Sequence, residues 1–439
     1  MSNMGVSCSD VQVKEAVLIT PLDPTPSHVL KLSSIDSQLF LRFTIEYLLI
    51  YRPVRAVDRD MVVARVKDAL ARALVPYYPL SGRVRARPDG SCLEVVCRGQ
   101  GAVFVESIGE FKVSDFEKAP RHVTEWRKLL ALEVTDVLKG APPLVVQLTW
   151  LSDGSVALGV GFSHCLCDGI GSLEFLKLFA ELATCHGLGF KPEPIWERHL
   201  LDPTPYTLPT SYHPEFNRVT DHCRFMTRFN TDQLTPTSTT FHEKRLKELK
   251  NLAASTSRLS KSSITSFEVL SAHIWRTWAR ALAFPPQQTL KLLFSINIRN
   301  RVKPSLPTQY YGNAIVLGCA QTTSKELTEN ALGYATELIR EAKNRVDDKF
   351  VREVVELVNL PRARQVPDSV GVLILSEWSK VGLENIDIGL GRPVQVSPVC
   401  TDKYCILLPV QDLSGSVKSM LAVPSVSVGK YEHLIRAME

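Results

Sequence analysis

The chain has 439 residues, of which 45% are hydrophobic and 22% are charged, the composition of an ordinary soluble globular protein. Its formal net charge of +5 is small for this length and is not gathered into a Lys/Arg tract, so nucleic acid is not expected as a main partner. No stretch reaches the ~18 uncharged apolar residues of a membrane helix, so no membrane span is expected.

Hydrophobic periodicity predicts alternating helices and strands in the first half of the chain. A helix that begins at Asp58 or Asp60 has an apolar face formed by Val62, Val66, Ala69 and Ala73. Strands are expected around residues 92–98, 144–151 and 155–163. After the last strand the apolar spacing changes to three and four residues, which predicts a helix beginning within a few residues of Asp168.

The middle of the chain is rich in proline. Six prolines lie between Lys191 and Pro214, which is typical of an extended crossing segment. We therefore predict an N-terminal domain at 1–190, a crossover at 191–222 and a C-terminal domain at 223–439.

The second half begins with the signature of a helix N-terminus. Thr265 and Glu268 form a capping box, and an apolar helical stripe follows it. Trp275 and Trp278 are part of this helix and are expected in the core. A strand at 291–298, a long helix at about 324–346, and strands near 371–376, 394–399 and 404–410 complete this half.

The strand at 155–163 runs into the block Phe162-Ser163-His164-Cys165-Leu166-Cys167-Asp168-Gly169. A neutral imidazole at a strand end can take a proton from an attacking alcohol or amine, because its ordinary pKa is near physiological pH. Asp168 is spaced to fix this loop, either directly against the imidazole or through another residue, and Gly169 and Gly171 are expected to supply the turn. The alternatives are a structural histidine and an aspartate that only caps the helix.

Two arginines follow the strand at 291–298. The period of a strand places Asn297, Arg299 and Arg301 on one face, where two like charges need acceptors. The alternative is that both arginines are solvated charges at a sheet edge.

Ten cysteines occur without a Cys-x-x-Cys pair, so neither a zinc ribbon nor a disulfide framework is indicated. His164, Cys165 and Cys167 are close in sequence, but neighbouring strand and turn residues point in different directions, and no metal is expected. Reduced cysteines, together with the lack of a secretory or peroxisomal signal, predict a cytoplasmic protein.

The chain resembles the plant BAHD acyltransferases, acyl-CoA-dependent enzymes with the signature His-x-x-x-Asp-Gly, over nearly its whole length. Besides His164-Cys165-Leu166-Cys167-Asp168-Gly169, the matching segments are 77–83, 143–149, 193–196, 266–276, 297–301 and 310–313. The resemblance implies an α/β (α+β type) fold of two chloramphenicol-acetyltransferase-like domains, with an active-site tunnel between them that reaches His164. It also implies that one arginine pairs with Asp168, Arg299 being the first choice and Arg301 the second, and that Ser266 and Arg276 border the coenzyme.

One family motif is altered. The family's Asp-Phe-Gly-Trp-Gly appears as Asp387-Ile388-Gly389-Leu390-Gly391, which keeps the aspartate and both glycines but loses both aromatic residues. In the family this motif is regarded as structural, so Asp387, Gly389 and Gly391 are expected to support the site, and the aliphatic replacements to repack an apolar contact.

The resemblance implies acyl transfer from acyl-CoA, as a co-substrate, to a small-molecule alcohol or amine of plant specialised metabolism. His164 would deprotonate the acceptor, which attacks the thioester directly, without a covalent acyl-enzyme and without a permanently bound cofactor. The protein is expected to be a monomer. A non-catalytic accessory protein of lipid elongation is the alternative, since some relatives have that role; a condensation domain is disfavoured because Ser163, not a second histidine, precedes His164.

Overall fold

A computed structural model describes residues 11–53, 57–88, 90, 92–130, 137–184, 193–203, 210–225, 233–359, 369–402, 404–411, 413 and 415–437. The strands in these residues are β1 (Val11–Ile19), β2 (His28–Lys31), β3 (Thr44–Tyr51), β4 (Arg83–Ala86), β5 (Leu93–Cys97), β6 (Ala102–Gly109), β7 (Leu144–Leu151), β8 (Val156–Ser163), β9 (Leu234–Phe241), β10 (Thr289–Asn297), β11 (Ile315–Thr323), β12 (Val372–Glu377), β13 (Gln395–Pro398), β14 (Cys405–Pro409) and β15 (Val417–Pro424). The α-helices are α1 (Arg59–Ala73), α2 (Gly169–Thr184), α3 (Glu243–Ser255), α4 (Ser266–Leu282), α5 (Ser324–Glu329), α6 (Leu332–Asn344), α7 (Asp348–Asn359) and α8 (Val428–Arg436).

The first half is built on a six-stranded sheet with the order β1-β6-β7-β8-β3-β13. Strands β7 and β8 are buried along their whole length, because they lie at the centre of this sheet. Helix α1 packs against α2, and both contribute apolar side chains to one core. A small sheet, β2-β5-β4, lies beside it. His164 therefore follows directly after a central, buried strand.

The second half is built on another six-stranded sheet, with the order β11-β10-β12-β14-β15-β9. Strand β10 is parallel to β12, and β12 is parallel to β14, whereas the other neighbours are antiparallel. Helix α4 is buried on nearly all sides and contacts α3, α6 and α8. Its two tryptophans lie in the core, as predicted.

The second half of the chain also contributes to the first sheet. Strand β13 follows β12 in the chain but pairs with β3 of the first sheet, with Gln395 opposite Ile50. Leu383, Ile386 and Ile388 of the preceding segment also pack into the first core. The domain boundaries at 190 and 222 stay a prediction, and part of the crossover lies outside the described residues.

Most helices and strands that the periodicity predicts are present. The predicted face of α1 is buried, and the capping box of Thr265 and Glu268 forms at the start of α4. The prediction of one long helix at 324–346 is wrong, because α5 ends at Glu329 and α6 begins at Leu332. Arg276 donates to the carbonyl oxygens of Leu327 and Asn330, so carbonyls at the end of α5 are satisfied without a continuous helix.

Within the described part of the chain, no helix is both long enough and apolar enough to cross a membrane. The same residues contain no group of three or more His, Cys, Asp or Glu side chains arranged to hold a metal ion.

Candidate active site

His164 is the first residue after β8, and its main chain is held on both sides. Its amide donates to the carbonyl of Phe43 at 2.9 Å, and its carbonyl accepts from Nδ2 of Asn313 at 2.6 Å. The imidazole packs edge-on against the Phe43 ring, with 4.9 Å between the ring centroids. His164 is 8% exposed, so the residue is almost completely enclosed.

The environment favours the neutral form of this imidazole. Burial lowers the pKa of His164 below its ordinary value, although its own backbone and the nearby Asp168, Asn313 and Asp36 act in the opposite direction. Nδ1 has no hydrogen-bond partner on another described residue. A neutral histidine at physiological pH has a lone pair that can accept a proton, as a general base requires.

Asp168 is buried and makes five hydrogen bonds, none of them to the imidazole of His164. Its carboxylate accepts from the amides of Ile170 at 3.1 Å and Gly171 at 2.9 Å, in the manner of a helix N-cap for α2. It also accepts from the amide of Ala314 at 3.0 Å and from two nitrogens of Arg299 at 2.8 and 3.0 Å. Asp168 therefore fixes the loop through Arg299 and backbone amides, and not by a direct hydrogen bond to the imidazole.

The charge of Asp168 is compensated by Arg299. Burial alone would raise the pKa of Asp168, but the charge and hydrogen bonds of Arg299, with the amides of Ala314 and Gly171, hold it below its ordinary value. Arg299 also donates to the carbonyls of Tyr310 at 3.3 Å and Gly312 at 3.0 Å. This bidentate pair ties α2 of the first half to the segment after β10 in the second half.

Arg301 lies elsewhere, although it is only two residues from Arg299. Its guanidinium donates to the carbonyls of Lys343 at 2.9 Å and Val346 at 2.6 Å, at the end of α6. The alternative of two solvated edge charges is wrong, because both guanidinium groups are bonded within the protein.

The two glycines after Asp168 differ in what they permit. Gly169 begins α2 without a positive φ, and a side chain there would meet the Tyr47 hydroxyl at an ordinary 3.7 Å. The turn freedom expected of Gly169 is therefore not used. At Gly171, by contrast, a Cβ would lie 1.9 Å from the carbonyl oxygen of Tyr311, so only glycine allows this contact between the halves.

Three buried residues of the site, Asp36, Asn313 and Arg198, were not assigned by the sequence. Asn313 donates to His164 and, through both its amide and its side chain, to Asp36 at 3.0 and 2.8 Å. Arg198 lies 3.3 Å from Asp36 and donates to the carbonyl of Leu166 at 2.7 Å. Arg198 lies two positions after the matching segment 193–196, and Asn313 lies within 310–313. Neither segment has a spacing that shows which residue its side chains bind.

The cysteines beside His164 are poorly suited to nucleophilic chemistry. Burial raises the pKa of the Cys165 thiol to about 12 and that of Cys167 further still. Both are free thiols and both are about 1% exposed. Neither therefore supplies a thiolate near neutral pH.

The altered motif forms a tight loop around the side chain of Asp387. One carboxylate oxygen accepts from the amides of Gly389 at 2.7 Å, Leu390 at 3.1 Å and Gly391 at 2.9 Å. Gly389 and Gly391 have φ values of +83° and +87°, a region that glycine enters without strain. Ile388 and Leu390 are buried in the first core.

Ser266 and Arg276, which were expected to border the coenzyme, lie on α4. Ser266 is the first residue of this helix, and Arg276 is buried further along it, where it bonds to the carbonyls that end α5. Their role as coenzyme contacts stays a prediction.

Comparison with known proteins gives matches over nearly the whole chain. The model of the Transferase family matches residues 9–438. Fatty alcohol:caffeoyl-CoA acyltransferase of Arabidopsis thaliana is 31% identical, covering 96% of this chain and 97% of that protein. Vinorine synthase superimposes with a TM-score of 0.73 at 20% identity, covering 96% of each chain. TRI101 of F. graminearum, in complex with ethyl coenzyme A, superimposes with a TM-score of 0.74 at 18% identity, covering 93% of this chain and 97% of that one.

The two structural matches span both halves and confirm the predicted α+β acyltransferase fold. The family match extends over His164, Asp168 and Arg299. The protein is an acyl-CoA-dependent O- or N-acyltransferase, and the chain belongs to the BAHD acyltransferase family.

Proposed function

We propose that His164 is the general base of this acyltransferase and that the acceptor attacks the thioester of acyl-CoA directly. His164 removes the proton from an alcohol or amine as its oxygen or nitrogen attacks the thioester carbonyl. The tetrahedral intermediate then collapses, the C–S bond breaks, and coenzyme A leaves as a thiolate that takes a proton. The products are an ester or an amide and free coenzyme A.

The observation that carries this proposal is a nearly enclosed histidine whose main chain is held by hydrogen bonds on both sides. Burial lowers the pKa of His164, while Phe43 and Asn313 bind its amide and its carbonyl. A rigid base is effective because it loses little conformational freedom in the transition state. Asp168 and Arg299 act here as support for the loop, since neither contacts the imidazole by a hydrogen bond.

A direct attack also agrees with the chemistry of the neighbouring thiols. Cys165 and Cys167 are protonated near neutral pH, because burial raises the pKa of both. Since neither thiol is an activated nucleophile, the proposed route is direct attack without a covalent acyl-enzyme.

The similar protein TRI101 is bound to ethyl coenzyme A in its crystal structure, which supports acyl-CoA as the acyl donor in this proposal.

We further propose a tunnel between the two halves as the route to His164. The enzyme is also proposed to work as a monomer. The eight cysteines that the structure describes are free, which suits the reducing cytoplasm.

The test is turnover of His164→Ala with pooled acyl-CoAs and pooled alcohols and amines, with products identified by mass spectrometry. We expect turnover to fall by about 10²–10⁴-fold, because that is the usual contribution of a general base. The melting temperature should stay close to that of the wild type. His433→Ala, which removes an exposed imidazole from α8, is the matched control and should keep full activity.

Two results would contradict the proposal. Retained activity in His164→Ala would exclude His164 as the base. An acyl adduct on the wild-type protein, observed by intact mass after mixing with acyl-CoA alone, would replace direct attack by a covalent route.

A further inference from the structure

Arg198 is a buried cation in the crossover between the two halves. It is 2% exposed, yet it contacts residues from three separate parts of the chain: Asp36, Leu166 and the pair Tyr310 and Tyr311. Nη2 donates to the carbonyl of Leu166 at 2.7 Å, and Nε lies 3.3 Å from a carboxylate oxygen of Asp36. A charge enclosed to this degree needs a fixed set of partners, because leaving it uncompensated would be costly.

Three aromatic rings enclose the guanidinium. Its central carbon lies 4.2 Å from the ring centroid of Trp196, 4.9 Å from that of Tyr311 and 5.2 Å from that of Tyr310. These distances are typical of cation–π contacts. At Gly312 a Cβ would lie 1.4 Å from Nη1 of Arg198, so the main chain also closes against the guanidinium. The orientation of the group is therefore fixed by packing as well as by charge.

The carbonyl that Arg198 binds belongs to the loop between His164 and Asp168. The amide of Leu166 closes a turn by donating to the carbonyl of Ser163 at 3.0 Å. Other contacts fix the two ends of this loop: Asn313 binds the carbonyl of His164, and Arg299 binds Asp168. Arg198 supplies the contact in the middle.

Asp36 connects the anchors at His164 and at Leu166. One of its oxygens accepts from the amide and the side chain of Asn313, and the other faces Arg198. The side chain of Asp36 is also held by Ser33, whose amide and hydroxyl donate to it at 3.0 and 2.8 Å. A shift of Arg198 would therefore be transmitted to His164 by two routes, through Leu166 and through Asp36 with Asn313.

We propose that Arg198 is a positioning residue for the acyl transfer: the crossover holds the loop of His164 in its reactive geometry through this guanidinium. The inference rests on His164 being the general base. Arg198 is too deeply buried to bind substrate, so its loss should change the rate of the chemical step and leave the binding of acyl-CoA unaltered. A misplacement of about 1 Å at a reacting group can lower a rate by about 10²-fold.

The competing role for Arg198 is charge compensation of Asp36 alone. Arg198→Lys separates the two roles. An ammonium group can pair with Asp36, but it does not reproduce a planar fork that reaches Asp36 and Leu166 from different nitrogens. Arg198→Met removes the charge and keeps an apolar chain among the three rings.

The experiment measures kcat, the KM for acyl-CoA and the melting temperature of Arg198→Lys and Arg198→Met with the acceptor found for the wild type. For Arg198→Lys we expect kcat to fall by about 10–100-fold with KM within about 3-fold and a melting temperature near that of the wild type. Arg198→Met should lose at least as much kcat and also melt lower. Arg245→Met is the control, since Arg245 on α3 also donates to backbone carbonyls, those of Arg436 and Ala437, and should keep its kcat.

A wild-type kcat in Arg198→Lys would overturn the inference, because charge alone would then suffice. A rise in KM with unchanged kcat would also overturn it. His164→Ala in the same assay separates this inference from the proposed function: if His164→Ala is inactive and the Arg198 variants are fully active, only the role of Arg198 fails. If His164→Ala is active, the general-base assignment itself fails.

Discussion

At the scale of single residues, the site depends on buried charges that compensate each other. Asp168 accepts five hydrogen bonds, which stabilise its carboxylate in a place where an isolated charge would be unstable. The buried guanidinium of Arg299 in turn needs the negative charge of Asp168. Such pairs add little net stability over apolar residues, but removing one partner is strongly destabilising.

We predict that Asp168→Asn and Arg299→Ala each lower the free energy of unfolding by about 3–5 kcal/mol, because each leaves a buried group without its partner. The double variant should lose clearly less than the sum of the two, since either single change already breaks the contact. Urea unfolding of the four proteins measures the difference.

Arg301→Ala, combined with Asp168→Asn, provides the control for this double-mutant cycle. Arg301 bonds to Lys343 and Val346 and not to Asp168, so its loss should add to that of Asp168→Asn within about 0.5 kcal/mol. If Arg299 and Arg301 had the same coupling free energy with Asp168, the ion pair of Asp168 and Arg299 would not explain the non-additive loss of stability.

At the scale of helices and strands, the loop of Asp387 keeps its geometry without the family's aromatic residues. Three successive amides converge on Asp387, and two of them belong to glycines with positive φ. The side chains of Ile388 and Leu390 face the first core. The backbone conformation of this loop therefore depends on the aspartate and the glycines, and the aliphatic residues only need to fill apolar space.

Substitutions of the two glycines should differ in cost. Gly391→Ala meets no atom within 4 Å, so its cost is the left-handed strain alone, about 1–2 kcal/mol. At Gly389 a Cβ would lie 2.7 Å from the guanidinium of Arg65, which donates to the Gly389 carbonyl at 3.2 Å. Gly389→Ala should therefore cost about 1 kcal/mol more, the value of one hydrogen bond. Denaturant titration of both variants checks this, and an equal loss would show that Arg65 does not matter.

The sequence predicts helices and strands well where one face meets a core, as in α1 and β7, because periodicity reports burial directly. It fails at 324–346, where α5 ends at an extended Asn330 and Arg276 of another helix binds carbonyls at the break. In the site, the spacing of His164, Asp168 and the arginine strand is visible from the sequence. Asp36 and Arg198 could not be found in this way, since their pairing joins residues 162 positions apart.

At the scale of the whole molecule, the segment at 210–217 is fastened to the second half by a buried histidine. His213 lies between two carboxylates, 3.1 Å from Glu215 and 3.2 Å from Glu353 of α7, and packs on the ring of Phe350. Lys349 is 3.9 Å from Glu353 on the same helix. Burial alone would lower the pKa of His213, but the two glutamates hold it above its ordinary value of 6.5.

This arrangement predicts a pH dependence of stability. A histidine whose pKa is raised on folding stabilises the protein fully below its unfolded value of 6.5, and that contribution is lost as the pH rises through the folded value. The free energy of unfolding of the wild type should therefore fall relative to that of His213→Gln as the pH is raised from 6.5. Urea unfolding of both proteins across this range measures the difference. A difference that does not change with pH would mean that folding does not raise the pKa of His213.

The pairing of β13 with β3 has a consequence for biosynthesis. Strand β3 has β8 on one side, but its other side is completed only by residues 395–398. While the ribosome is still translating the preceding residues, the first sheet presents an unpaired row of backbone donors and acceptors, which is the kind of edge that promotes aggregation. The nascent enzyme must therefore be kept from self-association until nearly all of it has been translated. A chaperone that shields an apolar strand edge would raise the yield of active protein, and the requirement for it should end once β13 has emerged.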